Sequence, residues 1–220
     1  MENPTRLTVL ISGSGTNLQA VIDSIAAKEL PGTIVRVISN RKHAYGLERA
    51  AKAGIPTVYH NLLEVKRKYS PTESGVRKAR NEYDAELARL VLADSPDLVV
   101  CLGFMHILSS TFLEPLEKAD VEIINLHPAL PGAFNGANAI ERAHEEWMEG
   151  TIDKSGVMIH KVIAEVDMGE PIVVREIPFI KGVDEDIDAF RDRVHAIEWE
   201  VVVEGTNKAI QQIREKKNKD

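Results

Sequence analysis

Two periodicities alternate along the chain. Leu7-Thr8-Val9-Leu10-Ile11, Ile34 to Ser39, Ile55 to Tyr59, Leu98 to Leu102, Val121 to His127, Gly156 to Val162 and Ile172 to Ile180 are short, β-rich runs. Between them lie stretches with helical spacing: Leu18 to Ala27, Tyr45 to Ala53 closed by Gly54, Tyr83 to Leu92, Ala139 to Glu149, and the long region Asp186 to Ile213. Runs of this kind taken in turn with helices predict a single α/β sheet rather than two separate cores. The domain is expected to cover residues 1–210, and the charged end, 211–220, to be a disordered tail. Asn61 to Arg80 carries Lys66-Arg67-Lys68 and Arg77-Lys78-x-Arg80 and reads as a mobile, solvated insertion.

One strand ends differently from the rest. Val121 to Leu126 is apolar except for Glu122 and Asn125, and it leads through His127 into Pro128 and then Pro131-Gly132. Side chains two apart on a strand share a face, so Asn125 and His127 project together at the carboxyl end, where ligands bind in open parallel sheets. A histidine shuttles protons near neutral pH, and an asparagine amide can donate to a developing oxyanion. Further on, Glu165-Val166-Asp167-Met168-Gly169-Glu170 forms a loop after the next strand, and Asp167 is its best-placed acid. A carboxylate beside an imidazole favours the charged ring, which predicts that Asp167 raises the pKa of His127.

The first strand opens into Ser12-Gly13-Ser14-Gly15-Thr16-Asn17 and then a helix. Strand, glycine turn and helix aim backbone N–H groups and a positive helix end at an anion. A dinucleotide site is disfavoured, because Leu18 stands at the third glycine position and the second strand ends in Asn40-Arg41 rather than an acidic ribose ligand. A phosphate-monoester cradle at Gly13, Ser14, Gly15, Thr16 and Asn17 is expected instead. Gly103-Phe104-Met105-His106-Ile107-Leu108 leaves the fourth strand as an apolar wall suited to a planar heteroaromatic ligand.

Composition narrows the class. The 220 residues are 44% hydrophobic and 28% charged with a net charge of -7, so there is no general basic field and nucleic acid is not an expected partner. The single cysteine, Cys101, sits in an apolar run and points to a reducing compartment. No apolar run approaches the roughly 18 residues that span a bilayer. The start lacks a signal-peptide core, so a cytoplasmic protein without membrane contact is expected. The scattered histidines show no metal-ligand spacing, and none is expected to bind a metal.

Four landmarks, Ser12 to Gln19, Gly103-Phe104-Met105, Asn125-Leu126-His127-Pro128 and Val166-Asp167-x-Gly169, occur in the order and with the gaps of one family. From Leu7 to Val203 the chain resembles the folate-dependent phosphoribosylglycinamide formyltransferases. The resemblance implies a mostly parallel sheet of about seven strands with a Rossmann-like amino-terminal half, and 10-formyltetrahydrofolate as formyl donor. It implies the amine of glycinamide ribonucleotide as acceptor, with neither metal nor NAD, in a monomer or homodimer. Its catalytic residues fall on Asn125, His127 and Asp167, and its phosphate loop on Gly15, Thr16 and Asn17. Its ribose-contacting glutamate falls on Glu198. Folate contacts fall on Phe104, Met105, His106, Ile107 and Leu108, on Asn125, and on Ile163, Ala164, Glu165, Val166 and Asp167. Arg80 matches an arginine that meets the folate tail. His106 stands where many relatives carry arginine, and Asp167-Met168-Gly169-Glu170 replaces the more usual paired glycines.

Formyl transfer to an amine passes through a tetrahedral oxyanion and needs a proton for a poor nitrogen leaving group. Asn125 and His127 suit that chemistry, and no Gly-x-Ser-x-Gly nucleophile motif is present. Two alternatives stand beside it: a 10-formyltetrahydrofolate hydrolase with water as acceptor, and a non-catalytic nucleotide-binding module of Rossmann type.

Overall fold

The computed structural model describes residues 4–219. In chain order the elements are β1 (Thr5–Ile11), α1 (Thr16–Ala26), β2 (Gly32–Ser39), α2 (Tyr45–Lys52), β3 (Thr57–Tyr59), α3 (Leu62–Lys66) and α4 (Glu73–Leu92). There follow β4 (Leu98–Leu102), α5 (Ser110–Lys118), β5 (Glu122–His127), α6 (Ala139–Met148), β6 (Lys154–Lys161), β7 (Pro171–Pro178) and α7 (Ile187–Lys217). The strands form one seven-stranded sheet of order β3-β2-β1-β4-β5-β6-β7. The chain also resolves into two compact units, one ending at Ile123 and the other beginning at Ile124.

In the first unit β1 runs parallel to both β2 and β4, and β2 runs parallel to β3. Leu7, Val9, Leu10 and Ile11 are fully buried, as expected for a parallel strand covered on both faces, which reads as a continuous apolar run rather than an alternating one. α4 contributes Tyr83, Leu87 and Val91 to the same core.

In the second unit β6 lies antiparallel to both β5 and β7. α7 packs on β6 and β7, through a buried row that includes Phe190, Val194, Val201, Val202, Ala209 and Ile210. The spacing of that row follows the helical period.

Three segments differ from the sequence expectation. The charged stretch 61–80, expected as an irregular insertion, is largely helical. Asn61 caps α3 by accepting from the Leu63 N–H at 3.0 Å, and Thr72 caps α4 by accepting from the Gly75 N–H at 3.2 Å. Val65, Gly75 and Ala79 turn inward, while Lys68 and Tyr69 both hold Glu82. The caps and this small buried stripe outweigh the charge run, which forms the solvated faces of helices. The second difference is α5, a helix not among those expected, which carries Pro115 in its interior. The third is the carboxyl end: α7 continues through Lys217, so residues 211–217, expected as tail, are helical. Ile213 is buried, and the basic residues of the last turn suit the negative end of the helix dipole.

Candidate active site

The expected pair at the end of β5 is present, and the second unit gathers a cluster around it. The register of β5 on β6 sets Asn125 directly opposite His160 and His127 opposite Met158. Asn125 Nδ2 lies 3.1 Å from His160 Nε2 and 3.3 Å from Asp167 Oδ1. His160 Nδ1 donates to the Lys161 carbonyl at 2.8 Å. The Asn125 amide donates to Asp167 Oδ1 inside the cluster.

Asp167 sits in the left-handed region, φ 57°, in the loop between β6 and β7. Gly169 makes this loop possible, because a Cβ there would lie 1.7 Å from the Lys161 carbonyl oxygen. Besides the Asn125 amide, the loop hands the Asp167 carboxylate three partners. The Gly136 N–H donates to Oδ2 at 2.7 Å, His127 Nδ1 stands 3.5 Å from Oδ2, and His160 Nε2 is 3.4 Å from Oδ1. Burial alone would push this carboxyl up, but the hydrogen bonds from His160 and Gly136 and the charges of the two rings hold it below the usual carboxylate range.

His127 is 4% exposed. Its Nε2 donates to the Phe134 carbonyl at 3.2 Å, and Phe134 is itself left-handed, φ 50°. Arg142 pins this turn, donating to the Phe134 carbonyl and, at 2.8 Å, to that of Asn135. The expected upward pull of Asp167 on His127 is present, but it is not the largest influence: desolvation is larger, and with His160 and Arg142 nearby the ring is pushed below its ordinary pKa, away from the working pH expected for it.

In the first unit, Gly15 is the left-handed N-cap of α1, φ 72°, and no side chain caps that helix. Gly13, Ser14, Gly15, Thr16 and Asn17 thus present a backbone turn at a helix start. Arg49 holds the turn, its Nε donating to the Ser14 carbonyl at 2.9 Å. Ser12 then joins two strand ends to the apolar wall: its hydroxyl donates to Asn40 Oδ1 at 2.6 Å and accepts from the Met105 N–H at 2.7 Å.

Within the wall, Met105 and Ile107 face outward, 63% and 56% exposed, whereas His106 turns inward. Its Nε2 donates to Asp84 Oδ1 at 2.6 Å, so its side chain does not join the exposed face that a ligand would meet. Burial would raise the Asp84 carboxyl, yet the bonds from His106 and Ser109 hold it low. Arg80 donates to the Ile107 carbonyl at 3.2 Å. Of the remaining candidates, Glu198 lies on the buried face of α7, and Ile163, Ala164, Glu165 and Val166 form an exposed turn ahead of Asp167.

The sequence reading missed His160, Gly136, Ser12 and Asp84. His160 had a signal, a polar residue inside an apolar run, but only the β5–β6 register shows what it meets. Among the described residues no group of three or more His, Cys, Asp or Glu is placed to hold a metal ion. No helix there is long and apolar enough to cross a membrane.

The Asn-x-His strand end with an aspartate loop beside it brings together an amide donor, a proton carrier and a carboxylate, the set that acyl transfer through an oxyanion needs. The formyl transferase family model matches residues 5–206, and the chain belongs to that family. It is 52% identical over 206 residues to the phosphoribosylglycinamide formyltransferase of Schizosaccharomyces pombe, covering 93% of this chain and 96% of that one. It is 45% identical over 213 residues to the enzyme of the same name from Saccharomyces cerevisiae, covering 94% and 98%. Among solved structures, glycinamide ribonucleotide transformylase 1 from Symbiobacterium toebii matches with a TM-score of 0.78 at 32% identity, over 94% of this chain and 88% of that one.

Proposed function

We propose that this chain transfers the formyl group of 10-formyltetrahydrofolate to the amine of glycinamide ribonucleotide, a step of purine synthesis. The observation that carries the reading is the Asn125–His127–Asp167 cluster with its fixed partners, in a chain about half identical to a phosphoribosylglycinamide formyltransferase. His127 is the general acid. Its Nδ1 faces a carboxylate and its Nε2 a carbonyl, so the protonated ring satisfies both neighbours, while burial opposes holding the proton and makes the ring a stronger acid. Asn125 donates to the developing oxyanion, and Asp167 holds the imidazole. His160 acts through Asn125 and Asp167 as a positioning residue.

The acceptor's phosphate takes the turn Gly13 to Asn17, and Glu198 takes its ribose hydroxyls. The donor takes the apolar face of Phe104 to Leu108, Arg80, Asn125, and the turn from Ile163 to Asp167. The protein acts on small molecules in the cytoplasm, as monomer or homodimer. The test is absorbance loss of 10-formyltetrahydrofolate with and without glycinamide ribonucleotide. Acceptor-dependent consumption supports transfer; consumption that ignores the acceptor gives the hydrolase reading, and no consumption with ribonucleotide bound gives the binding module.

A further inference from the structure

The apolar wall from Gly103 to Ser109 is held by α4 through two residues one turn apart on the same helix face. Asp84, fully buried, uses both carboxylate oxygens on it: Oδ1 accepts from His106 Nε2 at 2.6 Å and Oδ2 from the Ser109 N–H at 2.9 Å. Arg80, four residues earlier, donates to the Ile107 carbonyl. From the other side Ser12 fixes the Met105 N–H. Tyr83 braces the pair, its ring stacked on His60 with centroids 4.0 Å apart and in a T-shaped contact with His106 at 5.0 Å. His106 and Asp84 side chains are 5% and 0% exposed, so both have given up water.

A buried carboxylate bonded to an imidazole is a weak source of stability, because desolvation offsets most of the attraction, and removing the imidazole leaves the carboxylate uncompensated. What such a pair supplies is one geometry. Here one carboxylate ties His106 and Ser109, with Ile107 exposed between them and Met105 exposed just before them. We propose that Asp84 and His106 are a positioning pair that holds this loop so that Met105 and Ile107 form a preformed platform for the flat ring system of the formyl donor. The proposal deepens the function given above and rests on it.

The test is a split between the two substrates. Parental turnover that depends on glycinamide ribonucleotide establishes the underlying reading by itself. Against that parent, His106→Leu should raise the donor KM by about 10- to 100-fold, the penalty of a misplaced platform, with acceptor KM within about twofold. His106→Gln, which keeps a donor toward Asp84, should restore most of the loss. If the lone carboxylate prevents His106→Leu from folding, Asp84→Asn/His106→Leu replaces it, with the buried charge removed. A folded variant of either kind with parental donor KM, or with both KM values raised alike, overturns the positioning role.

Discussion

A methyl group added at Gly15 and one added at Gly13 should fail in different ways. At Gly15 the new Cβ would stand 2.5 Å from Gly46 Cα and 3.3 Å from Gly46 N. Gly46 cannot retreat, since its N–H bonds the Gly13 carbonyl at 3.1 Å and Ile11 fills the space on its own Cβ side. The left-handed φ of 72° adds about 1–2 kcal/mol for an L-residue, and forcing packed backbone apart about 1–3 kcal/mol. Gly15→Ala should therefore lose on the order of 2–5 kcal/mol of stability, and its urea midpoint should fall by roughly 1 M or more. At Gly13 nothing lies within 4 Å of the added Cβ and φ is not left-handed, so Gly13→Ala should keep its stability to within about 0.5 kcal/mol. Its methyl group instead occupies the approach to the turn. Losing one hydrogen bond to a charged phosphate costs about 1.5–3 kcal/mol, about 10- to 150-fold in ribonucleotide affinity. Urea unfolding followed by circular dichroism, with calorimetric titration of glycinamide ribonucleotide, separates the two. A parental midpoint for Gly15→Ala would refute the steric account, and parental affinity for Gly13→Ala would remove the turn from the phosphate site.

Asp167→Asn removes the charge that favours the His127 imidazolium, so the ring's pKa should fall further and the alkaline limb of the rate profile should move toward acid; an NMR titration of His127 that does not fall would separate the two residues. His127→Ala should slow turnover by about 100- to 10,000-fold with both substrates still binding, and Asn125→Ala should lose roughly 3 kcal/mol of transition-state stabilisation; single-turnover rates check both. His127 and His195 are each pushed below their ordinary pKa, by burial first. The unfolded chain therefore binds more protons as pH falls through about 6.5, and stability should drop between pH 7.5 and 5.5, as urea midpoints at the two values will show. Thr72→Ala should cost about 1 kcal/mol by uncapping α4, and an unchanged midpoint would mean that the cap contributes nothing.

Much of this molecule is legible in the chain because strand runs and glycine turns are local signals. The Asn125-x-His127 strand end announces a shared face through a period of two, and Asp167 announces itself as the acid of a glycine-bounded loop. What escaped the sequence depends on partners far away. His160 matters because β6 runs antiparallel to β5 and places it opposite Asn125, and no local pattern fixes that register. Asp84 reads as one more charge on an amphipathic helix until the loop it holds is in view. The segment 61–80 was misjudged for a different reason: net charge along a stretch says little when two capping side chains and a few small inward residues decide the local structure.

The lowered pKa of His127 bears directly on how the cluster works. A neutral ring donating from Nε2 to the Phe134 carbonyl leaves an Nδ1 lone pair facing the Asp167 carboxylate at 3.5 Å. That arrangement is electrostatically poor, and adding a proton at Nδ1 repairs it. Burial, His160 and Arg142 push the other way, and the net result is a ring below its ordinary pKa. The two influences serve different requirements. The carboxylate and carbonyl fix the orientation of the ring, while desolvation makes the proton easier to give up. The Asp167 carboxyl is held low by hydrogen bonds from Gly136 and His160, so it stays ionised while the imidazole next to it changes charge. Both groups are held below their ordinary pKa, the carboxyl by its donors and the imidazole by burial, so Asp167 is the fixed charge of the cluster and His127 the group that can exchange a proton, in keeping with the roles proposed for them.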